Sequence, residues 1–265
     1  MKKTIKAAVA ATVALGALSG AAGTARADLT LNGAVGLPLN PTAQIPLPGG
    51  VRVQGSYFDE GDVGGGSGSV KFYGLHAAGS IGSRLEINGG VERLNGPGAL
   101  GGDFDRTGLA LGAKYLFTHE TDPAGVRLAA GVGYSRALLK NVHAYVVATK
   151  SLGNLTEGRT PITGHLGLRY DRFRFDTLGI NNRSSKASVY GGVEIPFTRT
   201  GKFAFVGELQ SKNADGGNTP YSASVRYRRA GKGFSVSAGV QRQGLINSSG
   251  FFAQLGYSFD TDQAK

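Results

Sequence analysis

Four histidines, His76, His119, His143 and His165, are the first residues to test for chemistry. An outer-membrane lipid hydrolase needs a Ser hydroxyl beside a His base, so that the Ser can attack an acyl ester. No His here stands in a His-x-Ser or His-x-x-x-His arrangement, and no such pair is read around His143 or His165. The chain has no Cys, which excludes a thiol nucleophile, a disulfide scaffold and Cys-ligated metal. Asp59, Glu60 and Asp62, and again Asp103 with Asp105, are carboxylates close in sequence that read as solvated acidic loops rather than cation sites. Gly64 to Ser69 lacks the Gly-Lys-Ser/Thr of a phosphate loop. No catalytic residue, cofactor or metal is therefore expected, and the chain is not read as an enzyme.

The remaining chemistry-bearing residues are charges and amides that recur in phase. Arg84, Glu86, Glu92, Lys114, Arg127, His165, Arg169, Glu194, Glu208, Arg226, Arg228, Gln241 and Gln254 all alternate with apolar neighbours, as does Arg52. Groups in that phase would line one wet face. Seven bases, Arg52 included, stand against four acids there, which predicts a mildly basic face with a weak preference for anions. The competing expectation is that the charges pair across a narrow interior and close it.

What must position them is a set of strands. Leu85, Ile87, Gly89 and Val91 alternate with Glu86, Asn88, Gly90 and Glu92, and the same period of two runs through the chain. Further runs lie at 109–117, 126–135, 162–170, 187–195, 203–210, 221–228, 234–241 and 251–259, with weaker ones at 51–58, 69–81 and 140–151. That makes twelve strands, mostly of the length a tilted membrane-spanning strand needs. Tyr57, Tyr115, Phe117, Tyr134, Tyr170, Phe203, Tyr221, Phe234, Tyr257 and Phe259 sit near the ends of the apolar face, as interfacial girdles do. Charged residues make up 18%, low for the solvated outside of a soluble barrel. The expected fold class is all-β: an antiparallel up-and-down transmembrane β-barrel of about twelve strands. A secreted soluble β protein is the alternative. Long connections at 59–68, 95–105, 172–185 and 212–219 are expected to alternate with short turns.

The N-terminus reads as an export signal. Lys2, Lys3 and Lys6 precede an apolar run from Ala7 to Gly20, and Ala25-Arg26-Ala27 forms a small-x-small cleavage site. Residues 1–27 are thus expected to be a cleaved signal peptide, 28–50 an arm or plug, 51–259 the barrel and 260–265 a short tail. In the arm, Pro38, Pro41, Pro46 and Pro48 cannot donate to a ladder. The predicted location is the outer membrane of a diderm bacterium. Expected partners are outer-membrane lipid and lipopolysaccharide, the outer-membrane assembly machinery, and polysaccharide or small polar solutes. Nucleic acid is excluded because the chain is exported.

Gly36-Leu37-Pro38, Asn40-Pro41-Thr42-Ala43 and Pro48-Gly49-Gly50 resemble the start of YjbH-like outer-membrane proteins. Ser184-Ser185-Lys186, Gly192-Val193-Glu194 and the stretch from Gly207 to Lys212 resemble repeating pieces of uncharacterised bacterial barrels. The YjbH-like resemblance implies a role in exopolysaccharide production or export and supplies no catalytic residue. The leading expectation is a porin-like, narrow pore or export-associated conduit. A closed structural or adhesive barrel displaying surface loops comes second, and a lipid-modifying enzyme last.

Overall fold

The structure is a computed structural model. It describes residues 28–46, 48–62, 68–97, 103–136, 140–153, 161–177, 180–198, 200–214, 217–228, 233–244 and 248–259. The expected signal peptide, the Gly64–Ser67 stretch and the 260–265 tail lie outside these residues.

Strict alternation of apolar and small or polar residues dictates strands with two chemically distinct faces, and twelve of them close on one another. They are β3 (Val51–Asp62), β4 (Ser69–Ile81), β5 (Leu85–Pro97), β6 (Asp103–Thr118), β7 (Arg127–Arg136), β8 (Lys140–Gly153), β9 (Ile162–Thr177), β10 (Ile180–Pro196), β11 (Phe203–Gln210), β12 (Tyr221–Arg228), β13 (Phe234–Arg242) and β14 (Gly250–Phe259). Each pairs antiparallel with its sequence neighbour. The cylinder is sealed by β14 on β3, with Phe259 opposite Val51 and Phe251 opposite Asp59. Closure leaves no edge strand with unpaired amides, the condition for a sheet to sit in lipid. Two further strands of two residues each, β1 (Asp28–Leu29) and β2 (Val35–Gly36), form a small hairpin outside the barrel sheet.

The outer face carries the apolar set. Leu111, Val132, Leu166, Leu168 and Val189 are each at least half exposed, a belt that only lipid would cover. Aromatic rings cluster on this face near the end where Val51 and Phe259 lie, called here the near mouth. Tyr115 meets Phe117, Phe203 meets Tyr227, and Tyr257 meets Phe259, with ring centroids 4.7–5.2 Å apart. At the far end Tyr57 and Tyr73 pack at 5.3 Å.

The connections differ from expectation. Residues 95–105 and 172–185 are largely strand: Asn95 pairs Asp105, and the β9–β10 ladder runs on from Arg172 opposite Ser185 to Thr177 opposite Ile180. Apolar alternation stops at the edge of the lipid belt, but backbone pairing does not. These hairpins therefore project beyond the belt at the far end. Conversely, residues 119–126 form an eight-residue near-side turn. Asp122 accepts from the His119 amide at 2.8 Å, and Glu120 accepts from Arg127 and from the Ser151 amide.

Candidate functional site: a lumen filled by the N-terminal arm

The inward positions are polar, and they meet the arm. From Asp28 to Pro46 nearly every described residue is buried inside the barrel. The segment enters at the near mouth, turns, and returns to β3 at Val51.

Asp28 anchors it at the near mouth. Its carboxylate accepts from Arg52 on β3, pairs with Arg226 on β12, and accepts from Ser235 and Ser237 on β13. Arg226 also donates to Glu194 on β10 at 2.7 Å, and Glu194 lies 3.3 Å from His165 and 3.7 Å from Arg228. Next, Leu29 is held at both backbone atoms: Gln54 accepts from its amide at 3.0 Å and donates to its carbonyl at 2.7 Å, and Gln254 donates to the same carbonyl.

Farther in, the Val35 amide donates to Glu86, and Lys114 donates to the Val35 and Gln44 carbonyls. Glu86 and Lys114 themselves form a pair at 2.8 Å. On the opposite wall Glu208 accepts from the Leu39 amide (2.6 Å), the Asn40 amide and side chain (3.1 Å each) and the Ser222 hydroxyl (2.7 Å). The Ala43 amide donates to Thr149, and the Tyr190 hydroxyl donates to the Pro41 carbonyl. The four arm prolines remove donors from a segment with no ladder to satisfy them, so side chains of the wall take over that role.

Apolar contacts complete the fit. Leu31 packs on Phe58, Phe72 and Phe252, an inward row on three adjacent strands in register. Ala43 lies with Leu116, Tyr145, Val147 and Tyr190. Two glycines are required here. Gly33 adopts φ +89° in the arm's turn, beside His76. Gly192 on β10 leaves a hole for Leu37, and a Cβ there would lie 2.3 Å from Leu37 Cδ1.

Of the thirteen sequence candidates, Glu86, Glu92, Lys114, His165, Arg169, Glu194, Glu208, Arg226, Gln241 and Gln254 are buried on the inner face. Glu92 lies 3.5 Å from His76, and Arg169 pairs with Asp171 at 2.9 Å. Arg228 is at the near mouth, its side chain 24% exposed. Arg84 does not line the lumen: it is exposed in the turn before β5 and reaches the Phe117 carbonyl. Arg127 stays at the near rim, paired with Glu120 at 2.8 Å. Strand phase runs on past the belt into turns, where it no longer means inward. Asp28, Glu60 and Asp171 are buried acids that the reading omitted from the lumen. With them inside and Arg84 and Arg127 outside, the expected basic excess is gone among the described residues. Thr149 and Tyr190 were likewise missed as arm contacts, because an uncharged side chain in phase carries no mark in the sequence.

A closed antiparallel cylinder with an apolar outside and a polar inside is a transmembrane β-barrel. No protein-family model and no curated protein matches the chain, so the YjbH-like resemblance gains no support. Solved structures do match. The NanC porin aligns with TM-score 0.52 and 15% identity over 79% of this chain and 99% of that one. The KdgM porin, solved in complex with oligogalacturonate, aligns at 0.50 and 11%, over 80% and 99%. An outer-membrane channel from Pseudomonas putida F1 aligns at 0.50 and 13%, over 81% and 96%. The fold is that of the small bacterial outer-membrane barrels.

Proposed function

We propose that this chain is an outer-membrane channel for polar solutes whose lumen is closed by its own residues 28–46. One observation carries the reading. Three of the wall's buried acids are compensated by bases of the wall itself, Glu86 by Lys114, Glu194 by Arg226 and Asp171 by Arg169, while Arg52 and Glu208 are the buried wall charges that the arm holds. The arm's own charge is a single acid, Asp28, the partner of Arg52 and the second acid on Arg226. An arm that served as permanent core would be expected to supply the partners of buried wall charges, since breaking a buried pair costs about 3–5 kcal/mol. Here the arm mostly offers backbone amides and carbonyls, which water can replace.

The fold's likeness to small porins supports the same class. Export of the chain with loss of residues 1–27 would leave Asp28 as the free end of the arm at the near mouth. If the solute is a sugar polymer, as the YjbH-like resemblance implies, the amides and carboxylates uncovered by the arm (Gln54, Gln254, Glu86, Glu208) would hydrogen-bond its hydroxyls.

The test is planar-bilayer conductance of the refolded mature protein and of a variant lacking residues 28–46, with heat-modifiable gel mobility as the folding control. The intact protein is expected to be mostly silent with brief openings, and the shortened one steadily conducting. A folded, inserted and silent shortened variant would refute the channel and favour a closed structural barrel.

A further inference from the structure

One patch of the inner wall offers more than the arm that covers it uses. Phe252 on β14 stands opposite Phe58 on β3, and Phe58 opposite Phe72 on β4, all three buried and inward. Neighbouring strands lie about 4.8 Å apart, so the rings make a row roughly 10 Å long. In the closed lumen the row is covered by two leucines of the arm, Leu31 and Leu39.

The positions on either side of the row are polar and small. One inward step toward the near mouth stand Ser56 on β3, Gln254 on β14 and Ser237 on β13, in register. One inward step toward the far end stand Glu60 on β3 and Gln241 on β13, with Gly250 of β14 opposite Gln241 and against the Glu60 backbone. Each step is two residues, roughly 7 Å along a strand. Glu60 and Gln241 are both buried, yet Glu60 Oε1 and both amide atoms of Gln241 have no hydrogen-bond partner among the described residues. Buried polar groups are normally paired, because leaving one unsatisfied is costly. A seat for two leucines needs apolar surface and nothing more. It does not account for a carboxyl and a carboxamide held open beside the rings.

We infer that this patch is a subsite for an uncharged sugar chain, entered from the far end, which the projecting hairpins mark as the outer side. The inference rests on the channel reading above and names its solute class. The face of a phenyl ring carries the negative part of its quadrupole and attracts the polarised C–H groups on the flat side of a pyranose. Hydroxyls at one edge of the sugar then meet the Gln241 carboxamide, which both donates and accepts, and the Glu60 carboxyl. Ser56, Gln254 and Ser237 serve the opposite edge. Charge selects against acidic sugars. Glu60 and Glu92 adjoin the row, Glu92 with His76 at 3.5 Å, whereas Arg106 lies two strands from Phe72, beyond Leu94, and is exposed. Leu31 and Leu39 sit where the sugar would, so solute and arm compete for the same rings.

The experiment is saturation-transfer NMR on the refolded mature protein, arm included, carrying Leu31→Ala. Aromatic protons are irradiated while maltohexaose, cellohexaose or hexagalacturonate is titrated in. At least one neutral hexamer is expected to bind and to receive saturation at its C–H protons, with at least 10-fold higher affinity than for the wild type, whose leucine still holds the seat. Hexagalacturonate is expected to bind at least 10-fold more weakly. Phe58→Leu with Phe252→Leu keeps the seat apolar but removes two ring faces, and is expected to cost at least 10-fold; Gln241→Ala is expected to cost several-fold. No transfer to either neutral hexamer, equal binding of hexagalacturonate, or equal affinity of wild type and Leu31→Ala would overturn the subsite. If the double Phe variant does not refold, Gln241→Ala decides the matter, since its amide bonds no described residue in the closed lumen, and unchanged affinity there overturns the proposal. Planar-bilayer recording of the same Leu31→Ala protein separates the two readings. Current without sugar binding sinks the subsite alone, and sugar binding without current sinks the channel.

Discussion

Glu208 is the side chain through which closure can be measured most directly. Four donors converge on its two oxygens, three of them from the arm, which is the pattern of an ionised carboxylate acting only as acceptor. A hydrogen bond to a charged group is worth about 1.5–3 kcal/mol net. The three arm bonds share one carboxylate and are not additive, so we take about 3 kcal/mol for the group. Glu208→Ala removes the acceptor from the docked state, while in the undocked state water serves both partners. At about 1.4 kcal/mol per decade the ratio of undocked to docked arm should rise about 10²-fold. Single-channel recording reads this as open probability at fixed voltage. Single-channel amplitude should change little, because the open pore is bounded by the same backbone. Glu208→Gln keeps one acceptor and should fall between wild type and Ala. A folded Glu208→Ala protein with wild-type open probability would refute the reasoning, since it would mean the arm is not what closes the lumen.

Four other outcomes follow from the same contacts. Gly192→Ala sets a methyl against Leu37 and should raise open probability; adding Leu37→Ala should restore closure only in part, since the methyl also meets the Gly207 carbonyl, and a double-mutant comparison of conductance would register this. Arg226→Glu places a carboxylate beside Asp28 and Glu194 and should expose the arm to added protease at the near mouth, seen as cleavage within 28–46 by mass spectrometry. Cysteines at Ala43 and Thr149, whose amide and hydroxyl lie 3.0 Å apart, would be the only thiols in the chain; a short bis-maleimide joining them should abolish openings. Arg52 has Asp28 as its acid partner on the arm, so Arg52→Gln should lower the heat-modification temperature of the intact protein and raise that of the form lacking residues 28–46.

Much of this was legible because a barrel wall repeats every two residues. Leu85, Ile87 and Val91 against Glu86, Asn88 and Glu92 fixed strand, face and membrane in one reading, and the same held for all twelve strands. The reading faltered where period and environment part company. Arg84 and Arg127 keep the inward phase but lie past the belt, so solvent takes them. Arg172 to Thr177 and Ile180 to Ser185 lose the apolar alternation yet stay paired, because backbone bonds need no side-chain pattern. Nor could the sequence show that Arg136, Lys140, Arg174 and Arg183 stand opposite one another, because only register brings them together. The arm was visible as a proline-rich exception, but its partners were not. Backbone bonds to Gln54, Glu86, Thr149 and Glu208 join residues 25 to 169 positions apart and leave no local trace.

The arm's own sequence argues for the direction in which it would leave. Its charged residue, Asp28, lies at the near mouth, while its deepest apolar anchors, Leu31 and Leu39, rest by the Phe58–Phe72–Phe252 row. The other end leads into β3, which begins with Val51 at the same mouth. Both ends therefore emerge on the near side, and the segment can unfold only as a loop drawn back through that mouth. Hydration would begin at Asp28, where Arg52, Arg226 and two serines are already arranged to receive water, and the greasy contact of Leu31 would break last. The first step breaks buried ion pairs, which salt screens little until water has entered; the last breaks a dewetted apolar contact, which excluded salts such as sulfate strengthen. Closure built in this order resists brief fluctuations at the mouth, since a loosened Asp28 still leaves Leu31 seated to draw the arm back.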